Sequence, residues 1–148
     1  MFRKDDWHKW RIIPGYKRRL ILECAVALAF ARLAVWTLPF RTVSRLYGLR
    51  EDGTPAPSGK NDCTTDITWA LRGVAARAPW ESTCLVQALA GAAVLKRHDI
   101  PVSLVLGVKK QGARQETLAA HAWLLSGTRC IVGGESRDHY TPIAIFRA

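Results

Sequence analysis

The order of helical and β-rich segments predicts an α+β fold, with helices first and an antiparallel sheet after them. The first hundred residues contain Ala- and Leu-rich stretches with helical periodicity, whereas residues 102–146 alternate short β-rich runs with polar turns. The chain has 148 residues, 49% of them hydrophobic, so one compact unit with its own core is expected. Helices followed by a run of strands are typical of the α+β class.

The longest helix is predicted from Lys17 to Leu38, because this segment is rich in Ala and Leu and has no internal Gly or Pro. Glu23 and Arg32 interrupt its apolar run, and charges near the centre of a transmembrane helix are costly. We therefore expect a helix that packs on its own domain or on a partner. A helix lying on an anionic membrane surface is the alternative, since residues 17–19 form a basic flank.

A Gly-, Pro- and Ser-rich linker divides the chain after a second, shorter helix at Phe40–Tyr47. This linker, Glu51–Asn61, separates an N-terminal arm and helical segment (1–50) from a core (62–148), and the segment is expected to pack on that core. The core should begin with two helices, one over residues 64–76 and one capped by Ser82 that runs to about His98. Four strands should follow, at Val102–Val108, Ala119–Leu125, Arg129–Val132 and Pro142–Phe146.

The charge balance favours an acidic partner, because 22 Lys and Arg residues outnumber 12 Asp and Glu residues and give a formal net charge of +10. The basic residues are scattered along the chain, and no RNP-like, zinc-finger or recognition-helix pattern accompanies them, so no nucleic-acid partner is predicted. An ordinary basic surface and attraction to an acidic peptide are the two remaining interpretations.

The cysteines and histidines do not indicate disulfides or a metal site. Four cysteines occur without a CxxC pair, no secretory signal opens the chain, and a domain of this size needs no disulfides. We therefore expect reduced thiols and a cytoplasmic location. His8, His98 and His139 lack the spacing of metal ligands, so neither a metal nor another cofactor is expected.

Cys84 is the candidate nucleophile, because it lies two residues after the predicted cap Ser82, in the first turn of a helix. Free amides and the helix dipole favour a negatively charged sulfur at that position. A nucleophilic thiol needs a base, and His121 is the candidate, since it lies in a strand expected to pack on this helix. The plainer alternative makes Cys84 a small buried hydrophobe and His121 a structural residue.

Two motifs resemble the transglutaminase-like leader peptidases of lasso-peptide biosynthesis, in their stand-alone form. The first is a Trp shortly before a Ser-x-Cys-Leu helix and a strand ending in Leu-Gly-Val. The second is Ala-His-Ala-Trp followed by a Gly-rich strand end. In this chain the motif residues are Trp80, Ser82, Cys84, Leu85, Leu106, Gly107, Val108, Ala120, His121, Ala122 and Trp123. The resemblance extends from about Arg18 to Phe146.

This resemblance implies a transglutaminase-like or papain-like cysteine peptidase that cuts the leader from a ribosomally made precursor peptide. The freed amine of the core peptide is then joined to an acidic side chain by a separate ATP-dependent lasso cyclase. Members of this short form rely on a small separate leader-recognition protein. The implied partners are thus the precursor peptide, the recognition protein and the cyclase, with no cofactor for cleavage.

The residue that orients the histidine is where the sequence departs from the family pattern. Many members have an Asp on the strand after the His strand, but Gly133 and Gly134 occupy that place here. Glu135 is the first substitute that the sequence offers and Asp138 the second. A backbone carbonyl, Asp62 and Asp66 are further alternatives.

Two other functions stay open at this level. The same scaffold performs acyl transfer when an amine replaces water as the acceptor, and fold alone does not separate the two activities. A non-catalytic adaptor that binds a peptide or a membrane through its basic surface is the other alternative, and it would not need Cys84.

Overall fold

The structure, a computed structural model, describes residues 12–58, 63–111 and 117–148. The predicted α+β fold is confirmed, because helices precede an antiparallel sheet. The described helices are α1 (Gly15–Thr37), α2 (Phe40–Leu46), α3 (Cys63–Ala75) and α4 (Cys84–Arg97). The strands are β1 (Arg50–Glu51), β2 (Ser103–Gln111), β3 (Thr117–Ser126), β4 (Arg129–Val132) and β5 (Thr141–Arg147), with a 3₁₀ turn at Arg137–His139 before β5.

The five strands form one sheet in the order β1-β5-β2-β3-β4, with every neighbouring pair antiparallel. The expected meander is found in β2, β3 and β4. The last strand departs from it, because β5 crosses back to pair with β2 and places Phe146 opposite Leu104. The short strand β1, at the start of the predicted linker, pairs with β5, so Glu51, the first linker residue, belongs to the sheet.

Helix α4 is the centre of the core, between the other helices and the sheet. Its middle consists of small residues that are almost entirely buried, including Ala88, Ala90 and Ala92. A methyl group added to Gly91 would come within 2.8 Å of the Leu124 side chain and 3.0 Å of the Leu71 side chain. Small residues on α4 therefore let α3 and β3 approach it closely, and large apolar side chains fill the space around it.

Helix α1 packs on α3 and α4 with one face, which buries Leu20, Cys24, Leu28, Ala31 and Ala34. It begins two residues before the predicted start. It ends at Thr37, because the next residue precedes a proline and is extended, with φ −122° and ψ 146°. By length and composition alone, α1 could cross a membrane; buried core helices and N-terminal signal sequences meet the same criterion.

Glu23, in α1, connects this helix to α4 through charged contacts. Glu23 is mostly buried, and its carboxylate forms an ion pair with Arg97 Nε at 3.1 Å and lies 3.2 Å from His98 Nε2. Both partners are at the C-terminal end of α4, where cationic groups also suit the helix dipole. The Glu23 carboxylate, which interrupts the apolar run of α1, therefore links α1 to α4.

Candidate active site

Cys84 is the first residue of α4, and Thr83 caps the helix. Thr83 is extended, with φ −63° and ψ 160°, and its side-chain oxygen accepts a hydrogen bond from the Val86 amide at 3.5 Å. The prediction of Ser82 as the cap was wrong by one residue. The carbonyl of Ser82 instead accepts a bond from the Gln87 side chain at 2.8 Å, which fixes the approach of the chain to the helix. Cys84 is half-buried in the resulting first turn, where backbone amides lack intrahelical partners.

The remaining cysteines are less suited to nucleophilic attack or lie away from this turn. Burial raises the pKa of Cys24 to about 12, and Glu23 next to it adds to the shift. Burial also raises the pKa of Cys130, although Arg137 and Arg72 partly oppose it. Since the thiolate is the reactive form, these two thiols are poor nucleophiles at neutral pH. Cys63 is the first described residue of α3 and is half-buried, as Cys84 is.

His121 lies in β3 with a fixed ring. Its Nε2 is 2.8 Å from the carbonyl oxygen of Gly133, just beyond β4. The ring also contacts Trp123, at 5.9 Å between centroids, and Tyr140, at 4.9 Å. A carbonyl only accepts, so the Nε2–H donates and the neutral imidazole keeps its lone pair on Nδ1. The Gly133 carbonyl therefore selects the tautomer in which Nδ1 can act as a base.

Gly133 can hold this carbonyl in place because it has no side chain. Its φ is +77°, in the left-handed region that favours glycine. A methyl group there would lie 2.5 Å from the Ala122 carbonyl oxygen and 2.9 Å from the Trp123 Cβ. A similar close approach occurs across β2, where a methyl group at Gly107 would lie 2.6 Å from the Trp123 ring. Two glycines thus enclose the strand segment that carries His121.

The predicted orienting carboxylates lie elsewhere in the described residues. Glu135 is exposed in the turn after β4, and neither a hydrogen bond nor an ion pair joins it to His121. Asp138 is almost fully exposed and pairs with Arg137 at 3.7 Å, whereas Asp66 pairs with Lys17 at 3.2 Å. Asp62 lies outside the described residues. Of the alternatives from the sequence, the backbone carbonyl is the group found at the imidazole.

Cys84 and His121 lie at the same end of the layer formed by α4 and β3. Gly91 packs against Leu124. From Gly91 back to Cys84 the helix rises about 10 Å, and from Leu124 back to His121 the strand covers about the same length. Both segments run in the same direction, because the C-terminal end of α4 leads into the start of β2, which pairs with the end of β3.

The two side chains are nevertheless not joined by a hydrogen bond. The His121 ring bonds to Gly133, and no hydrogen bond joins it to the Cys84 thiol in the described part of the chain. Ala122 and Leu124 belong to the core that faces α4, so the alternation of the strand directs His121 to the other face. Among the described residues, β4 pairs with β3 over Leu124–Ser126, and Gly133 follows beside Ala122 without continuing the pairing.

Two buried donors shortly before Cys84 in the sequence belong to motif residues. Trp80 Nε1 and Ser82 Oγ are buried and have no hydrogen-bond partner among the described residues. Unpaired buried donors cost free energy, on the order of 1–3 kcal/mol each. Both precede Cys84 by a few residues, and their burial separates them from solvent in this structure. Trp123, by contrast, is 4% exposed, as expected for a core aromatic residue.

Replacing Gly133 by alanine is expected to release His121. The added methyl group has no room, and the left-handed backbone costs a further 1–2 kcal/mol, roughly. We expect kcat for the thiol-dependent reaction to fall about 10- to 100-fold while KM changes little, because a displaced carbonyl no longer fixes the tautomer. Steady-state kinetics across a pH series would measure this.

Gly53→Ala is the matched control, since Gly53 also has a positive φ, +68°, but open space around it. It should lower thermal stability slightly and leave kcat unchanged. Equal losses of kcat in the two variants would show that the Gly133 effect is only a folding defect.

The comparisons with known proteins agree with this fold. The family model described as "Transglutaminase-like superfamily" matches residues 24–145, which contain Cys84, His121 and Gly133. It is not specific to lasso-peptide leader peptidases. Searches of curated proteins and of solved structures each gave no significant match. The matched region covers most of the sequence, and the chain therefore belongs to the transglutaminase-like superfamily.

Proposed function

We propose that this protein is a cysteine peptidase that removes the leader from a ribosomally synthesised lasso precursor, so that a partner cyclase can close the macrolactam on the freed amine. The observation that carries the proposal is the half-buried thiol of Cys84 in the capped first turn of α4, within a transglutaminase-like chain. The motif around Cys84 and the Ala-His-Ala-Trp segment support the narrower assignment to leader cleavage.

In the proposed reaction, Nδ1 of His121 takes the proton of the Cys84 thiol, and the sulfur attacks the scissile carbonyl. First-turn amides of α4 stabilise the negative oxygen of the tetrahedral intermediate. Collapse of this intermediate gives a thioester of the leader, and the imidazolium protonates the departing amine of the core peptide. Water, deprotonated by His121, then hydrolyses the thioester and restores the thiol. The Gly133 carbonyl acts as the positioning group for the ring.

This mechanism requires substrate binding to rearrange β3, because the alternation of the strand directs the His121 side chain away from α4 and Cys84. Among the described residues, no strand pairs with this edge of β3 before the Gly133 contact, which leaves room there for an extended substrate strand, as in peptide recognition by strand addition. Precursor binding would therefore accompany the assembly of the catalytic pair.

The proposed partners follow from the same assignment. The formal charge of +10 favours an acidic peptide or an acidic face on a partner. We propose the precursor peptide, a separate small leader-recognition protein and an ATP-dependent lasso cyclase as these partners. Cleavage itself needs no cofactor in this proposal. All four cysteines are free, which suits a reducing, cytoplasmic compartment.

Acyl transfer is the second candidate, because the superfamily supports both peptidase and acyltransferase activity. The two reactions share the thioester and differ in the group that attacks it. Water gives hydrolysis, whereas an amine gives a new amide bond.

The test is incubation of the precursor peptide encoded beside this protein with the purified chain and its leader-recognition protein, followed by mass spectrometry. Hydrolysis gives a leader with a free C-terminal carboxylate and a core with a free N-terminus. The same incubation with a labelled primary amine separates the two candidates. A leader that carries the amine would favour acyl transfer, and an intact precursor under all conditions would contradict both.

A further inference from the structure

The face of α1 that points away from the core is apolar. Large apolar side chains on this face are 53–79% exposed, and their spacing places them along one side of the helix. We call this set the α1 stripe: Leu22, Val26, Phe30, Leu33 and Trp36. The opposite face of α1 packs on α3 and α4, so the helix is apolar on both sides but buried on only one.

The stripe continues into neighbouring surface. A groove of about 490 Å³ runs between α1 and α4, and Ala93, Val94 and Tyr47 form its other wall. Leu46, at the end of α2, is 68% exposed. Contiguous apolar surface of this kind is uncommon on soluble monomers and marks a place where a protein or a membrane binds.

The charges around the stripe favour an anionic surface. Residues 15–46, which form α1 and α2, contain six basic residues and a single acid, so they carry half of the net charge of +10. The acid, Glu23, is mostly buried and paired with Arg97 and His98. Arg19 borders the groove, and Arg41 and Arg45 are exposed on α2. The apolar face is thus flanked by cations without an exposed acid on the same two helices.

We propose that the α1 stripe docks on an anionic lipid surface, with α1 lying in the plane of the interface. The helix does not need to cross the bilayer, because its other face and Glu23 remain fastened to the core. Trp36, the most exposed residue of the stripe at 79%, lies at one end of the helix and Arg19 near the other. Tryptophan and arginine both suit the headgroup region. This proposal does not depend on the chemistry of Cys84.

Vesicle flotation tests the proposal with the full chain. The probes are large unilamellar vesicles of phosphatidylglycerol mixed with phosphatidylcholine, and vesicles of phosphatidylcholine alone. We expect at least about tenfold more protein to float with the anionic vesicles, and this excess should shrink as salt is raised. Absence of flotation with anionic vesicles at low salt would overturn the proposal.

A triple variant removes the apolar contact without changing a buried residue; it combines V26S, F30S and W36S. The matched control combines L118S and I143S, which replace apolar side chains of similar exposure on the sheet, 66% and 63%. The stripe variant should lose flotation at least about tenfold, whereas the control should keep it. Equal flotation of both, with native circular dichroism, would contradict the proposal. The proposal would also be contradicted if analytical ultracentrifugation showed a dimer that does not bind lipid and that the stripe substitutions dissociate.

Discussion

Replacing Cys84 with alanine is expected to abolish precursor cleavage, with a loss of at least about 10⁴-fold in kcat. The thioester is the bond on which the proposed reaction depends, and an alanine methyl group does not form one. Because Cys84 is half-buried at a helix start, where alanine is also accepted, the fold should survive the change. The measurement is the initial rate of leader release by mass spectrometry, with circular dichroism as the check on folding.

Cys63→Ala is the matched control for this variant. Cys63 is the first described residue of α3 and is also half-buried, so the same atoms are removed from a helical position of similar exposure. Wild-type cleavage by Cys63→Ala together with loss in Cys84→Ala would support the nucleophile. Cleavage by Cys84→Ala at the wild-type rate would instead show that Cys84 is not the nucleophile.

Much of the fold was predictable from local sequence signals. The Ala- and Leu-rich segments gave the helices, and a proline marked the end of α1 within one residue. The partner of β5 was not predictable, since strand pairing depends on contacts distant in sequence. β1 was not predicted for a related reason: two residues at the start of a Gly- and Pro-rich segment carry no strand periodicity, and their pairing with β5 makes them a strand.

The site was less predictable than the fold. The helix start at Cys84 could be found, although Ser82 and Thr83 are equally good caps by residue type and only the backbone angles decide between them. A search for an orienting acid looks for Asp and Glu, whereas the group found at His121 is a backbone carbonyl, which every residue has. The signal in the sequence was the glycine itself, because the close approach to β3 excludes any side chain at Gly133.

The second large effect is expected for His121→Gln, which should lower kcat about 10²- to 10⁴-fold. The glutamine amide can still donate a hydrogen bond to the Gly133 carbonyl, so the strand contact has a substitute, but no basic nitrogen remains for the thiol proton. Rates are measured in the cleavage assay used for Cys84→Ala. Supplying imidazole in the buffer should partly restore the rate, a response that a merely structural defect would not give.

Glu135→Gln decides between the two orienting groups. If the Gly133 carbonyl orients the ring, this exposed carboxylate can be neutralised with less than about a threefold change in kcat, because an exposed charge is well screened by water. A loss of 10-fold or more, roughly, would instead mean that the precursor complex brings Glu135 to His121. In that case substrate binding would rearrange the turn after β4 as well as bring Cys84 and His121 together.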